Sequence, residues 1–191
     1  MPQGVEAGIL KGAYLLRESK SKGKGRVQLM GSGTILREVL AAADMLEADW
    51  GVAADVWSAT SFTELRRNGL AAERWNLLHP EGKQKLSYVE QMLKDRPAGP
   101  VVAASDYVKT FADQIRPFVP KERGYRVLGT DGFGRSDSRA KLRHFFEVNR
   151  NFVVLAALRA LADQGEGKPK AVLDAMKKYG IDPEKADPTT V

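Results

Sequence analysis

The sequence predicts an α/β fold in three layers: a mostly parallel five-strand sheet with one antiparallel edge strand, covered by helices on both faces. Three observations carry this expectation. Short strand-like runs alternate with stretches of helical period, which is the order of βαβ units. One run, Val101-Val102-Ala103-Ala104, is apolar without alternation, as expected of a strand buried on both faces. The first strand-like run is followed by a turn rich in lysine and glycine and then by a second run, which predicts a hairpin and therefore an antiparallel edge.

Taken in order, Ile9 to Arg17 and Arg26-Val27-Gln28-Leu29-Met30 form that hairpin, and Gly31-Ser32-Gly33 ends its second strand. Thr34 is placed to cap a helix, because its hydroxyl can accept from an unpaired backbone N–H. Ile35, Leu36, Val39, Leu40, Ala43, Leu46 and Ala48 fit one helical face up to Trp50, and Gly51 stops it. Val52 to Ser58 reads as the next strand. Residues 61–96 read as a polar helical insertion, with pieces near Phe62–Arg67, Ala71–Leu78 and Lys85–Lys94. Beyond Val101–Ala104 come a helix from Tyr107 to Ile115, stopped by Pro117, and a strand Tyr125–Leu128. A glycine-rich loop from Gly129 to Arg139 leads into a helix ending near Phe146. Asn149 to Ala162 and Pro169 to Tyr179 are two further amphipathic helices, and Asp182-Pro183 starts a last turn.

The 191 residues suffice for one good core, so residues 1–191 are expected to form a single domain. Within it, residues 1–25 would be the entry hairpin strand with its basic turn. The sequence has no cysteine, which excludes disulfides, thiolate metal sites and thiol nucleophiles. No run approaches the roughly 18 apolar residues of a membrane span. The start, Met1-Pro2-Gln3-Gly4-Val5-Glu6, lacks the basic and apolar regions of a signal peptide. A cytoplasmic protein with no membrane partner is expected. The net charge of +6 admits nucleic acid or acidic protein as a partner. The most basic stretch, Arg17 to Arg26, contains glycines and serines but no aromatic residue to stack on bases, so it reads as a solvated turn and no nucleic-acid partner is expected.

Three places invite a chemical reading. Gly31-Ser32-Gly33-Thr34 follows a strand and opens a helix, like the start of a dinucleotide fingerprint, but Leu36 stands where the third glycine belongs and no P-loop lysine is present. The loop Gly129-Thr130-Asp131-Gly132-Phe133-Gly134-Arg135-Ser136-Asp137-Ser138-Arg139 resembles the Gly-Asp-Gly element of thiamine diphosphate enzymes. Its first glycine is missing, however, and Asn149 and Asn151 follow too closely to be that motif's asparagine. Asp131 and Asp137 are expected to cap turns and the next helix, with Arg135 and Arg139 pairing locally. The only histidines, His79 and His144, have no spaced carboxylate or histidine partner and read as packing or surface residues. Trp50, Trp57, Phe145 and Phe146 are expected in the core, and Trp75 could mark an interface. No catalytic, cofactor-binding or metal residue is assigned.

Several long stretches together resemble one family. They are Gly51-Val52 through Asp55-Val56-Trp57-Ser58, Thr60 to Leu65, Glu73-Arg74-Trp75-Asn76-Leu77-Leu78-His79-Pro80, Tyr125 through Arg139, and Leu142-Arg143-His144-Phe145-Phe146-Glu147-Val148. In this order they resemble the carboxyl-terminal part of the homodimeric type of pyruvate dehydrogenase, the thiamine diphosphate-dependent decarboxylating component of the bacterial pyruvate dehydrogenase complex. The resemblance covers essentially the whole chain. It implies the transketolase carboxyl-terminal domain fold and the third domain of a longer enzyme, with Met1 an internal methionine of that enzyme. It also implies that thiamine diphosphate and magnesium are bound by the other domains and none by this segment, which would be inactive alone. Implied partners are the peripheral subunit-binding domain of dihydrolipoamide acetyltransferase, the other domains of the enzyme and a second copy in a homodimer; no contact residues follow from the resemblance. The competing expectation, from the residues alone, is a small-ligand or nucleotide-binding α/β domain using Gly31–Thr34 and the glycine-rich loop.

Overall fold

A computed structural model describes residues 2–191, so Met1 lies outside the described residues. Its centre is a five-stranded sheet of β1 (Ala13–Arg17), β2 (Gly25–Gly31), β3 (Val52–Ala59), β4 (Val101–Ala104) and β5 (Tyr125–Leu128). The spatial order is β1-β3-β2-β4-β5. The pairs β2–β3, β2–β4 and β4–β5 are parallel, and β1 runs antiparallel to β3 at the edge.

The expected hairpin does not form. Strand β2 holds β3 on one side, in continuous register from Gly25↔Val52 to Gly31↔Ser58, and β4 on the other. With both of its edges occupied, β2 has none left for β1, which pairs instead with the free edge of β3. Ahead of β1, Glu6–Lys11 is a short helix, α1, ended by Gly12 in the left-handed region. The antiparallel edge strand is therefore present, but its partner comes from later in the chain.

Alternation along the strands sorts the core into two layers, because successive side chains point to opposite faces. Val27, Leu29, Val52, Ala54, Val56, Val102 and Ala104 pack under α2 (Leu36–Trp50), joined by side chains of a long helix near the chain's end, Arg150–Asp163. Met30, Trp57, Ala59, Val101 and Ala103 pack on the other face. There they meet α3 (Phe62–Leu78), α4 (Tyr88–Lys94) and α5 (Lys109–Asp113) through Phe62, Leu65, Val89, Met92, Leu93 and Ala112. The stretch expected as an insertion is this crossover from β3 to β4, and it covers one sheet face. Its first two helical pieces form one continuous helix begun by Ser61, whose hydroxyl accepts from Glu64 N–H. Ser87 and Glu90 make a reciprocal capping box at α4.

After β5 come α6 (Arg139–Phe145), the long helix α7 (Arg150–Asp163) and α8 (Pro169–Tyr179). Helix α7 buries Phe152, Val153, Val154, Ala157, Leu158 and Leu161. On its outer side α8 docks through Ala175, Val172 and Tyr179, whose hydroxyl accepts from the Trp50 indole at 2.9 Å. Trp57 is buried as expected, whereas Trp50, Phe145 and Phe146 are half-buried at the margin. Among the described residues no helix is long and apolar enough to cross a membrane.

The segment between β1 and β2 is less free than its composition predicts. Asp55, fully buried in β3, accepts from the backbone N–H of Ser19 at 2.9 Å, from Arg26 at 2.6 Å, from Gln28 at 2.8 Å and from Arg96 at 3.4 Å. Gln28 in turn accepts from the Trp57 indole at 2.8 Å. Nearby, Arg123 is buried and donates to the carbonyls of Leu93, Arg96, Pro97 and Gly99. These groups fix the start of β2, the exit of α4 and the entry to β4. Lys20, Lys22 and Lys24 remain exposed.

Candidate functional site: the crevice at the carboxyl ends of the strands

In an open α/β sheet, ligands bind outside the carboxyl ends of the strands, where successive connections leave toward opposite faces. Here that point lies between β2, whose chain rises into α2 on one face, and β4, whose chain leaves to α5 on the other. A crevice of about 640 Å³ opens there, lined by Thr34, Asp106, Thr130, Gly132, Gly134, Arg135, Asp137, Arg139 and Arg143, with Ile35, Leu142, Phe146 and Val148 as its apolar floor.

Both loops that border the switch point are tied to each other. Ser32 N–H donates to the Ala104 carbonyl at 3.1 Å, continuing the β2–β4 ladder, and Thr34 Oγ1 donates to Asp106 Oδ2 at 2.8 Å. Thr34 is thus not the helix cap the sequence suggests: a 3-10 turn, Gly33–Ile35, precedes α2, and the threonine side chain is drawn across the crevice to the aspartate. Gly31 approaches Leu36 so closely that a Cβ would lie 2.8 Å from its Cα, so Leu36 packs where a nucleotide fingerprint would need a glycine.

The glycine-rich loop forms the far wall. Asp131 accepts from Lys109 N–H at 3.0 Å at the start of α5, and the Lys109 ammonium lies 3.7 Å from its other oxygen. Gly132 has φ of 112° and passes against the Pro188 carbonyl with no room for a Cβ, so the chain's last residues brace this loop. Asp137 does not cap α6. Its carboxylate accepts from Ser138 N–H and faces Lys141 at 3.7 Å, while the Ser138 hydroxyl accepts from Lys141 N–H as the true cap. The expected local pairing of Arg135 and Arg139 is also absent. Arg135 lies 4.1 Å over the Phe145 ring, and Arg139 has no carboxylate within ion-pair distance among the described residues.

Beside the crevice, Glu38 of α2 forms a buried clamp. Its carboxylate accepts from Arg143 at 2.9 Å, from Arg150 Nε at 2.9 Å and Nη2 at 3.2 Å, and from the Arg150 backbone N–H at 3.1 Å. The Arg150 hydrogen bonds hold its carboxyl below the ordinary carboxylate range, against the opposing effect of burial. The carboxylate also sits at the amino end of α7, where the helix dipole favours negative charge. The clamp joins α2, α6 and α7, residues 105 and 112 positions apart in sequence.

The residues considered for cofactor chemistry are dispersed or engaged. Asp131 is held by Lys109, and Asn149 accepts from Phe152 N–H as the cap of α7. No group of three or more His, Asp or Glu residues placed to hold a metal ion occurs among the described residues. His79 stacks on Trp75 with ring centroids 3.7 Å apart, and His144 packs 5.6 Å from Phe152. Sequence reasoning missed Glu38 altogether, and no local signal marks it. The spacing of Arg135, Arg139 and Arg143, each four residues from the next, is visible in the sequence and is the signal that points to this wall.

The fold belongs to a known class. The model of the transketolase-like TK C-terminal domain matches residues 12–149, and the chain belongs to that family. Among solved structures, it is similar to transketolase from Campylobacter jejuni with a TM-score of 0.53 and 24% identity, over 79% of this chain and 19% of that one. It is likewise similar to the inactive β4 tetramer of a split-gene transketolase, with a TM-score of 0.51 and 19% identity over 80% of this chain and 43% of that one. Within the class, its curated relatives are bacterial pyruvate dehydrogenase E1 components. That of Pseudomonas aeruginosa is 63% identical over 98% of this chain, and that of Escherichia coli K12 is 54% identical over the same share. The chain spans about a fifth of the length of these relatives, 21% in each case.

Proposed function

We propose that this chain serves as the carboxyl-terminal domain of a pyruvate dehydrogenase E1 component, supporting its dimer and docking the peripheral subunit-binding domain of a dihydrolipoamide acetyltransferase, with no catalysis of its own. The observation that carries this reading is identity above 50% to E1 components along 98% of the chain. Identity at that level over nearly the whole chain supports a shared fold and a shared place in the longer enzyme. The whole enzyme would decarboxylate pyruvate and acetylate lipoyl groups in the cytoplasm, with thiamine diphosphate and magnesium held by other domains.

Two surface features support an interaction role. The carboxyl-terminal half of α3 and the loop after it expose Leu70, Trp75, Leu77, Leu78 and Leu86, with Leu77 at 78%. Around α5 and the glycine-rich loop, Tyr107, Phe111 and Phe133 are exposed. Exposed apolar side chains grouped in this way are a mark of association surfaces. The crevice, in contrast, engages Asp106 and Asp137 with Thr34 and Ser138, and Asp131 beside it with Lys109, which suits a silent scaffold.

Calorimetric titration of the chain with the acetyltransferase subunit-binding domain should give a complex. Absence of heat with both proteins at tens of micromolar, where a binding free energy of about −6 kcal/mol would register, would rule out the docking role. A parallel titration with thiamine diphosphate and magnesium should be flat; saturable, magnesium-dependent binding would overturn the assignment of the cofactor to other domains.

A further inference from the structure

The crevice continues beyond the switch point. Two further hollows of about 500 and 380 Å³ border it, each lined in part by the same Arg139 and Arg143, so the three lie side by side along α6 toward the exposed side of α2. Five guanidinium groups line this path: Arg135, Arg139 and Arg143 along α6 and its approach, then Arg150 and Arg37.

The carboxylates within the cleft do not balance them. Glu38 is saturated by Arg143 and Arg150. Asp44 is taken by Arg17 at 2.7 Å, Asp106 by Thr34, and Asp137 by Ser138 and Lys141. Arg37, Arg135 and Arg139 are exposed and have no carboxylate within ion-pair distance among the described residues. A guanidinium offers a flat fork of donors that matches a carboxylate, and these three outnumber Asp106, the lining carboxylate with no cation within ion-pair distance among the described residues, so the complement of the surface is acidic.

We propose that this arginine-lined cleft docks an acidic polypeptide segment laid along α6. The inference stands apart from the docking partner named above, since it specifies the chemistry of the occupant and the place where it lies. An elongated, open trough suits an extended chain better than a compact ligand. From Gly132 to Asp137 the bordering loop makes no backbone–backbone hydrogen bond among the described residues, leaving main-chain groups beside the arginines for an incoming strand. A nucleic acid would need open aromatic faces along the path. The aromatic residue of the lining, Phe146, is half-buried and edge-on to Phe145, and the exposed Phe133 of the bordering loop stands outside the lining.

The test measures fluorescence anisotropy of a short labelled oligoglutamate peptide on the chain, on Arg37→Ala/Arg139→Ala, and on Arg66→Ala/Arg74→Ala. The last pair removes two exposed arginines of α3, outside the cleft, for the same change in net charge. Thermal melts of both variants should match the parent, because neither pair touches the Glu38 clamp. Saturable binding is expected, weakened at least about tenfold in the cleft variant and retained in the α3 variant. The proposal is overturned by no saturable binding, by equal losses in the two variants, or by a single-stranded oligonucleotide of equal charge binding more tightly than the peptide.

Discussion

Two buried carboxylates, Asp55 and Glu38, perform the same physical task with opposite results for the surface around them. Asp55 is fully buried and holds Arg26 and Arg96, and Arg96 also meets Glu18 at 2.6 Å. Two cations face two anions there. Glu38, at the carboxyl end of the sheet, faces Arg143 and Arg150 while Arg37 and Arg139 stand by with no carboxylate of their own. A buried charge persists only when hydrogen bonds satisfy it, and both sites meet that demand. Around Asp55 the charges balance and the result is a fixed core, with Arg96 Nε alone left without a hydrogen-bond partner among the described residues. Around Glu38 positive charge is left over, and it faces solvent.

The contrast can be broken at its strongest point first. Asp55→Ala would strip partners from two arginines, Gln28 and the Ser19 N–H, and should cost about 3–5 kcal/mol in urea unfolding. A loss below about 1 kcal/mol would mean the network merely decorates the sheet. Glu38→Gln keeps the shape and removes the charge, and should cost about 2–3 kcal/mol.

The same residue sharpens the comparison through pH. Its folded pKa is lowered, so its contribution is complete above the unfolded carboxylate value of about 4.3 and is lost as pH falls through the lower folded value. The stability gap between parent and Glu38→Gln should therefore shrink below about pH 4; a gap unchanged down to pH 3 would show that the clamp does not hold an ionised carboxylate. Gly132→Ala forces a Cβ toward the Pro188 carbonyl at a positive φ and should cost about 1–2 kcal/mol, seen as a lowered melting temperature. Smallest of all, Arg139→Ala should change stability by no more than about 0.5 kcal/mol, the mark of a side chain the fold does not use.

Much of the scaffold was legible because its signals are local. The bounds of β4 and β5, the stop at Gly51 and the run of α8 from Pro169 to Tyr179 follow from composition, turn residues and periodicity over a few positions. The partner of β1 was not, since pairing is settled by which edges remain free after β2 and β3 have met. Helix α1 was hidden because six residues carry too little periodicity to distinguish it from an extended run. The caps divided in an instructive way: Ser138, adjacent to the favoured Asp137, has the geometry, and Thr34 was drawn to Asp106 by a loop 72 residues away. For the same reason Glu38 was invisible, while the four-residue rhythm of its neighbouring arginines was on view but read as local pairing.

The seat of Gly132 against Pro188 divides the molecule into parts that can be undone separately. The sheet and both core layers draw on residues up to Ile181, whereas the wall of the crevice leans on the Pro188 carbonyl and on Lys185, whose ammonium reaches the Phe145 carbonyl at 2.8 Å. A proteolytic cut between Ile181 and Lys185 would therefore loosen the rim of the crevice and leave the packed sheet beneath it standing.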